Sequence, residues 1–240
     1  MNPFMNSAAG VDPQRPAGAQ NEIAAHAGEA AALLSACGSA DMVVDFAPVE
    51  FGVIEFTEPE QVRHFLASFV ETILQPIDLP AVVQAWQHAA RGEVRELIAL
   101  DRWMAAEPLP EWVAAASRRI GRQRLSRLRP LRDQRLIQRY AQAVETGTAN
   151  GWHPVVYGVI LAAYSVPLRQ GLAHYAETAV NGLADGISQG RLSEEDTQEV
   201  LLSLAGCLRK AMESALADSR LSFEAAPRPS PADGDHAATV

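Results

Sequence analysis

The spacing of apolar residues constrains this chain most, because it follows the period of an α-helix through almost its whole length. In the clearest case, apolar side chains recur every three or four residues, at Val62, Phe65, Leu66, Phe69, Val70, Ile73 and Leu74. A stripe of this kind predicts a helix with one face buried against other helices. Thr57 and Glu60 form a capping-box pattern at its start, and we expect Pro76 to end it.

The same period predicts further helices at about 79–91, 93–105, 110–128, 136–144, 154–164, 168–189 and 193–216. We expect Asp78 to cap the helix that follows it, and Gly92 to end that helix, since glycine readily adopts left-handed backbone angles. The Ala-rich stretch 22–37 is also predicted to be helical. Residues 43–56 do not fit the pattern, and there we favour an extended packing segment over a short hairpin.

Together these segments predict an all-α protein, a single-domain helical bundle of about eight to ten helices. The ends of the chain, residues 1–21 and 222–240, are short of bulky apolar groups and contain several prolines. We expect both to be disordered tails, because they cannot bury enough surface to offset the entropy of ordering. The helical domain is therefore predicted to occupy residues 22–221. Its 48% hydrophobic composition is sufficient for a sizeable core.

Charge and motif content argue against several classes of function. The chain has 20 basic and 29 acidic residues, so its net charge of −9 disfavours a general nucleic-acid-coating role. Two cysteines, the lack of a secretory signal pattern and the lack of a run of about 18–20 apolar residues favour a cytoplasmic protein without a membrane span. Zinc-binding spacings, phosphate-binding glycine loops and nucleophile motifs are absent from the sequence. Nothing in these motifs recommends an enzyme, although the sequence alone leaves an enzyme open, and we predict no catalytic residue, no metal ligand and no cofactor.

Arginine is concentrated in one window, residues 118–139, which contains nine arginines and one acid, Asp133. One interpretation is a solvated basic face that pairs in part with acidic helices. The other is a docking patch for an acidic protein or a nucleotide, because a guanidinium group binds carboxylate or phosphate through two donors. Both interpretations remain open on the sequence. Arg118, Arg119 and Arg122 are the candidate partner-binding residues in this window.

A second distinctive segment is Trp152-His153-Pro154-Val155-Val156-Tyr157-Gly158. Pro154 suits the first turn of a helix, and Gly158 permits a close helix crossing. Spacing alone favours a packed helix start. The functional alternative places the His153 ring at a subunit contact, so His153 and Tyr157 are also candidate partner-binding residues.

Three patterns in this sequence together resemble the UreF family of urease accessory proteins. They are Gln75-Pro76-Ile77-Asp78-Leu79-Pro80, then Leu100-Asp101-Arg102-Trp103 leading into Ala116-Ser117-Arg118-Arg119-Ile120-Gly121-Arg122, and then His153-Pro154-Val155-Val156-Tyr157-Gly158. Their order and spacing extend the resemblance over about residues 30–218. The glycine- and serine-bearing segment typical of the family is not matched within residues 41–55, which marks the chain as a divergent member.

The resemblance implies an all-α, non-enzymatic chaperone that binds UreD (also called UreH) and then the GTPase UreG. That assembly inserts nickel into apo-urease, and family members are often homodimers. Neither nucleic acid nor a membrane is implied as a partner. The main alternative is a stand-alone helical regulator that binds a small ligand or nucleic acid through the Arg-rich face. A third is an enzyme on an all-α fold, which would need a cluster of buried polar groups.

Overall fold

The computed structural model describes residues 56, 58–128, 135–188 and 192–218, and every regular element within them is helical. One continuous helix over 59–91 comprises α1 (Pro59–Phe69), the π-helix π1 (Val70–Asp78) and α2 (Leu79–Arg91). The helices that follow are α3 (Val94–Met104), α4 (Glu111–Arg127), α5 (Arg135–Glu145), α6 (His153–Ala163), α7 (Leu168–Ser188) and α8 (Glu194–Asp218). The all-α prediction is therefore confirmed, with helix positions close to those expected.

Some predictions fall on residues outside these ranges. The tails 1–21 and 222–240, the helix over 22–37, the extended segment up to residue 55 and the capping role of Thr57 all lie outside the described residues. The number of helices in the whole chain and the domain bounds 22–221 stay predictions.

The prediction that Pro76 ends the first helix is wrong. Pro76 lies inside π1, and the helix runs on to Arg91. Proline removes a backbone N–H and crowds the preceding turn. The wider π turn accommodates this, and the N–H of Leu79 donates to the carbonyl of Leu74, five residues back. Gly92 does end α2 as predicted, with a φ of 72°.

The expected capping role of Asp78 is also wrong. Its backbone is helical, with φ −68° and ψ −52°, and its side chain makes no capping hydrogen bond. The Asp78 carboxylate is instead buried in the interior, where the Tyr175 hydroxyl donates to it. An aspartate that follows Pro76 within a continuous helix has no unpaired helix start to cap.

The centre of the body is the crossing of α2 and α6, the most extensive helix contact among the described residues. At Gly158 on α6, an added Cβ would lie 2.5 Å from the Val82 carbonyl oxygen and 2.6 Å from the Ala85 Cβ. Contacts that short do not occur between real side chains and backbone, so the crossing requires glycine. The close crossing that Gly158 predicts is confirmed.

The helix over 59–91 is long and apolar enough, by length and composition, to cross a membrane, which the sequence analysis did not expect. In its most apolar window, 61% of the residues are buried inside the protein. Burial of this extent is typical of a core helix packed among other helices, and α1, π1 and α2 do pack against α6, α7 and α8. The apolar side chains of this stretch are accounted for by the core.

Candidate functional site

Asp101 on α3 holds the loop that leads into α6. Its side chain is fully buried. The carboxylate accepts hydrogen bonds from the Tyr140 hydroxyl at 2.6 Å and from the backbone N–H groups of Gly151 at 2.9 Å and Trp152 at 3.3 Å, as well as from that of Asn150. A buried carboxylate is stable only when such donors surround it. Asp101 thereby ties α3, α5 and the start of α6 together.

The loop that leads into α6 also packs directly against α4. A Cβ at Gly121 would lie 2.0 Å from the Gly151 carbonyl oxygen, so only glycine fits at Gly121. Gly151 has a φ of 76°, a left-handed conformation that also favours glycine. The Ser117 hydroxyl oxygen accepts a 3.2 Å hydrogen bond from the His153 backbone N–H, and Arg122 Nε donates to the Asn150 carbonyl at 2.8 Å. These contacts fix α4 against the start of α6.

A second polar cluster lies deeper, where π1, α4, α6 and α7 meet. The Tyr175 hydroxyl donates to the Asp78 carboxylate at 3.1 Å. The Tyr157 hydroxyl donates to the Gly171 carbonyl at 3.1 Å, and its oxygen lies 2.9 Å from Nδ1 of His174. The Tyr157 and Tyr175 rings are in contact, with centroids 5.0 Å apart. The cluster thus joins three of these elements through hydrogen bonds and ring packing.

His153 and Arg124 complete this buried cluster. The His153 ring centroid lies 5.1 Å from that of Tyr175, and its Nε2 has no hydrogen-bond partner among the described residues. Arg124 on α4 is only 6% exposed, although the rest of the arginine window suggested a surface position. Burial, with the Arg124 charge as a smaller cause, holds the pKa of His153 well below its usual range and lowers the pKa of His174 to about 4. Both imidazoles are therefore neutral at pH 7.

The pKa of Asp78 is shifted in the opposite direction, upward. Burial raises the pKa of its carboxyl to about 7, and the hydrogen bond from Tyr175 offsets part of that effect. Asp78, His153, His174, Tyr157, Tyr175 and Arg124 are each less than a tenth exposed. The polar groups that an enzyme would need do converge here, but in a closed interior. Their hydrogen bonds and ring contacts hold π1, α6 and α7 together.

The predicted partner-binding residues occupy two different environments. Arg119 and Arg122 are exposed on α4, and Arg118 is partly exposed. Arg118 forms a 3.1 Å ion pair with Glu111, and its guanidinium carbon lies 5.2 Å from the centre of the Trp152 ring. These three residues form a surface that we call the α4 arginine face.

His153 and Tyr157, by contrast, are buried in the cluster described above, with 3% and 0% of their surfaces exposed. Neither ring reaches the surface of the single chain, and a subunit contact through the His153 ring stays a prediction. Both belong to α6, whose residues 153–161 are all buried. The packed helix start that spacing favoured is what the structure has.

The surface beside the α4 arginine face is a groove between α4 and α5, which we call the α4–α5 groove. Its volume is about 840 Å³. It is lined by Arg122, Leu125, Ser126, Leu128, Ile137, Gln138, Ala141, Gln142, Val144 and Glu145. A second groove of about 520 Å³ lies between α1 and α8 and carries Glu58, Glu60, Asp196 and Glu199 beside Arg63. The second groove is therefore acidic, whereas the α4–α5 groove carries one basic and one acidic side chain, Arg122 and Glu145.

No group of three or more His, Cys, Asp or Glu side chains with metal-binding geometry occurs among the described residues. The buried cluster contains two imidazoles and one carboxylate, but these are engaged with tyrosine rings and hydroxyls. The arrangement suits packing of the helices.

The fold and these polar networks define an all-helical protein whose interior polar groups hold helices in register. The sequence profile of the UreF family matches residues 56–205, which is more than half of the chain. The chain belongs to the UreF family, and the resemblance inferred from the three motifs is confirmed. The match begins directly after residues 41–55, the stretch in which the sequence analysis found the resemblance to fail.

Curated relatives are similar at low identity. Urease accessory protein UreF of Actinobacillus pleuropneumoniae is 26% identical over 133 residues, which cover 55% of this chain and 59% of that protein. Urease accessory protein UreF of Sporosarcina pasteurii is 22% identical over 151 residues, covering 62% and 75%. Urease accessory protein UreF of Haemophilus influenzae (strain PittEE) is 30% identical over 82 residues, which cover 34% of this chain and 35% of that protein. The chain thus spans about three-fifths of the length of the first of these relatives.

Proposed function

We propose that this protein is a urease accessory protein that acts as a non-enzymatic scaffold. In this proposal it joins UreD (UreH) and the GTPase UreG while nickel is inserted into apo-urease. The observation that carries the proposal is the UreF family match, which runs from residue 56 into α8 and so includes most of the described helical body. The curated relatives bear the name urease accessory protein.

The distribution of polar groups is consistent with a scaffold. The two polar networks, around Asp101 and around Tyr157, are buried and bind other parts of the same chain. The polar groups that other molecules can reach therefore lie on the surface. Arginine is well suited to protein recognition, because its planar group pairs with carboxylates through two donors.

Within this proposal, the α4 arginine face contacts a partner directly. Exposed charge of one sign steers an oppositely charged partner and raises the association rate. His153 and Tyr157 contribute indirectly. The His153 backbone N–H bonds to Ser117 on α4, and Tyr157 packs α6 against α7. We further propose that the protein works in the cytoplasm, forms a homodimer, requires no cofactor of its own and has neither nucleic acid nor a membrane as partner.

The alternative is a stand-alone regulator that uses the same arginines to bind a small ligand or nucleic acid. Two features weaken it. Arg124 is buried in the interior, and Arg118 is engaged by Glu111 and by the Trp152 ring. The basic surface is therefore smaller than the nine arginines of the sequence suggest.

The scaffold proposal is tested by assembly from purified components. The chain, UreD and UreG are mixed pairwise and together, and the molar mass of each mixture is measured by size-exclusion chromatography with light scattering. We expect a complex that contains all three proteins and that does not form when this chain is omitted. If UreD and UreG show the same masses with and without the chain, the scaffold proposal is wrong.

A further inference from the structure

We propose that the α4–α5 groove receives an acidic amphipathic helix of a partner protein. This inference rests on the proposed function, since the partner is taken to belong to the urease accessory complex. It goes beyond the α4 arginine face because it names a concave site and the chemistry of its occupant. The groove has the shape, the apolar floor, the neighbouring charge and the anchored edge that such a helix requires.

The groove exists because α4 and α5 pack mainly against other helices. The principal contacts of α4 are with α6, and those of α5 are with α3, while α4 and α5 touch each other only slightly. Their separation leaves a space of about 840 Å³. That volume lies in the range of roughly 300–1,000 Å³ typical of concave binding sites. It is enough for a row of side chains from a helix lying across it.

The floor of the groove is apolar. Ala141 and Val144 on α5 are partly exposed to it, and Leu125, Leu128 and Ile137 form its deeper walls. An apolar floor between two helices suits the apolar face of a third helix, whose anchoring side chains recur at i, i+3 or i+4, and i+7. Burial of such anchors removes apolar surface of both molecules from water.

The charge of the two helices selects an acidic occupant. Besides the buried Arg124, α4 carries four arginines and one glutamate, and α5 carries two arginines and one glutamate. Without Arg124 these helices have a formal charge of +4 in a chain of net charge −9. Arg122 lines the groove, and Arg119, Arg135 and Arg139 are exposed on the same two helices. A helix with carboxylates flanking its apolar row complements both the floor and the charge.

The basic edge of the groove is held in place. Nε of Arg122 donates to the Asn150 carbonyl at 2.8 Å, and the Asn150 backbone N–H in turn donates to the buried Asp101 carboxylate. An arginine fixed in this way loses less conformational freedom when it binds a carboxylate. The Asp101 network therefore connects the interior of the protein to this edge.

A nucleic acid fits this groove less well than a protein helix does. Its recognition depends on contacts along a phosphate backbone and, for single strands, on exposed aromatic rings. Among the described residues, those lining the groove include one arginine, one glutamate and five aliphatic side chains, and no aromatic ring. An amphipathic protein helix matches this composition.

The test places a photo-cross-linking amino acid at Gln142, on the groove, and separately at Gln198, on the distant N-terminal part of α8. Each variant is mixed with purified UreD, with purified UreG and with both, and the cross-linked peptide is identified by mass spectrometry. We expect Gln142, but not Gln198, to capture a segment with a surplus of carboxylates and apolar residues at helical spacing. No cross-link at Gln142, or a link to a neutral or basic segment, overturns the proposal.

A pair of matched substitutions tests the groove by binding. Ala141→Trp fills the groove, whereas Ala205→Trp makes the same change on α8, which has no extensive contact with α4 or α5. We expect Ala141→Trp to weaken partner binding more than about tenfold, as for the loss of an interface hot spot, and Ala205→Trp to leave it unchanged. Circular dichroism and thermal melting verify that both variants are folded. Equal affinities for the two variants contradict the inference.

Two further readouts separate this inference from its alternatives. Binding of a fluorescent single-stranded DNA 20-mer to the wild-type protein, with loss of that binding in Ala141→Trp, overturns the proposal, because the occupant is then a nucleic acid. Urease activation is measured in parallel. If the wild-type chain supports activation but Gln142 gives no cross-link, the groove inference fails and the proposed function stands. If activation does not depend on the chain, the proposed function fails, and the cross-link at Gln142 still decides the groove inference.

Discussion

The Tyr140 hydroxyl donates a 2.6 Å hydrogen bond to the Asp101 carboxylate, and this contact joins α5 to α3 inside the protein. The same carboxylate accepts backbone N–H groups from the loop before α6. A side chain that belongs to α3 thus sets the positions of α5 and α6, on which both the α4–α5 groove and the buried cluster depend.

The first prediction concerns this network. Asp101→Asn replaces one acceptor oxygen with an NH₂ group that faces N–H donors, so we expect the free energy of unfolding to fall by about 3 kcal/mol. Tyr140→Phe removes one hydrogen bond and should cost about 1–2 kcal/mol. Urea denaturation followed by circular dichroism measures both. In the double variant the two losses should be less than additive, because the residues share one bond. Strict additivity would show that the bond contributes nothing.

The second prediction concerns the crossing of α2 and α6. Gly158→Ala places a Cβ 2.5 Å from the Val82 carbonyl oxygen, so the helices must move apart. We expect a loss of about 3 kcal/mol or more, at the upper end of overpacking effects. Gly206→Ala on α8 is the matched control, because a Cβ there meets nothing within 4 Å. It should raise stability by about 0.5–1 kcal/mol, since alanine is the better helix former. Similar effects of the two substitutions on the melting temperature would refute the close crossing.

The third prediction is a pH dependence caused by Asp78. Its pKa is raised to about 7 in the folded protein, from 3.8. Well below pH 3.8 the carboxyl is protonated in both states, and its burial carries no charge penalty. As pH rises toward 7, the unfolded state loses this proton while the folded state retains it, so the stability contribution is lost over that range. The loss has an upper limit of about 4 kcal/mol, at about 1.4 kcal/mol per pKa unit.

Asp78→Asn isolates this effect, because asparagine keeps an oxygen for the Tyr175 hydroxyl and does not titrate. We expect the variant to gain stability relative to wild type as pH rises from 4 to 7.5. The comparison is needed because His174, whose pKa is lowered to about 4, has the opposite dependence and loses stability as pH falls below 6.5. A difference between the two proteins that does not change with pH would contradict a buried, protonated Asp78.

The fourth prediction concerns the α4 arginine face. Arg119→Glu reverses one exposed charge, and we expect association with an accessory partner to slow by about tenfold at low salt. The effect should shrink at 0.5 M salt, because the Debye length falls to a few ångströms. Lys210→Glu on α8 is the control and changes the net charge by the same amount. Surface plasmon resonance at two salt concentrations measures both. Equal slowing by the two variants would assign the effect to net charge alone.

Much of the fold was predictable, because helical spacing and glycine stops depend on local sequence. Gly92 and Gly158 are examples, since a chain reversal and a close crossing each demand glycine. The prediction for Pro76 is wrong, because proline usually breaks an α-helix. The neighbouring sequence contains no signal for the π turn that accommodates Pro76 here. The burial of that turn against α8 depends on residues distant in sequence.

The site was less predictable. Asp101 lies on the same helical face as Leu97, Leu100 and Met104, so its burial could have been inferred from the stripe, but its partners are 39 to 51 residues away. The eight other arginines around Arg124 in the sequence predict a basic surface, whereas its side chain is buried. Arg124 lies four residues after Ile120, on the same buried face of α4, and this spacing is the sequence signal that indicates its burial. Pairing between distant helices is not encoded in any local pattern.

The central claim is that urease maturation requires this chain as a scaffold. The most direct test is the nickel content and specific activity of urease purified from cells that co-express its structural subunits, UreD, UreG and the remaining accessory proteins in nickel-containing medium, with and without this chain. We predict nickel-loaded, active urease only when the chain is present. Equal nickel content and activity in its absence would contradict the account.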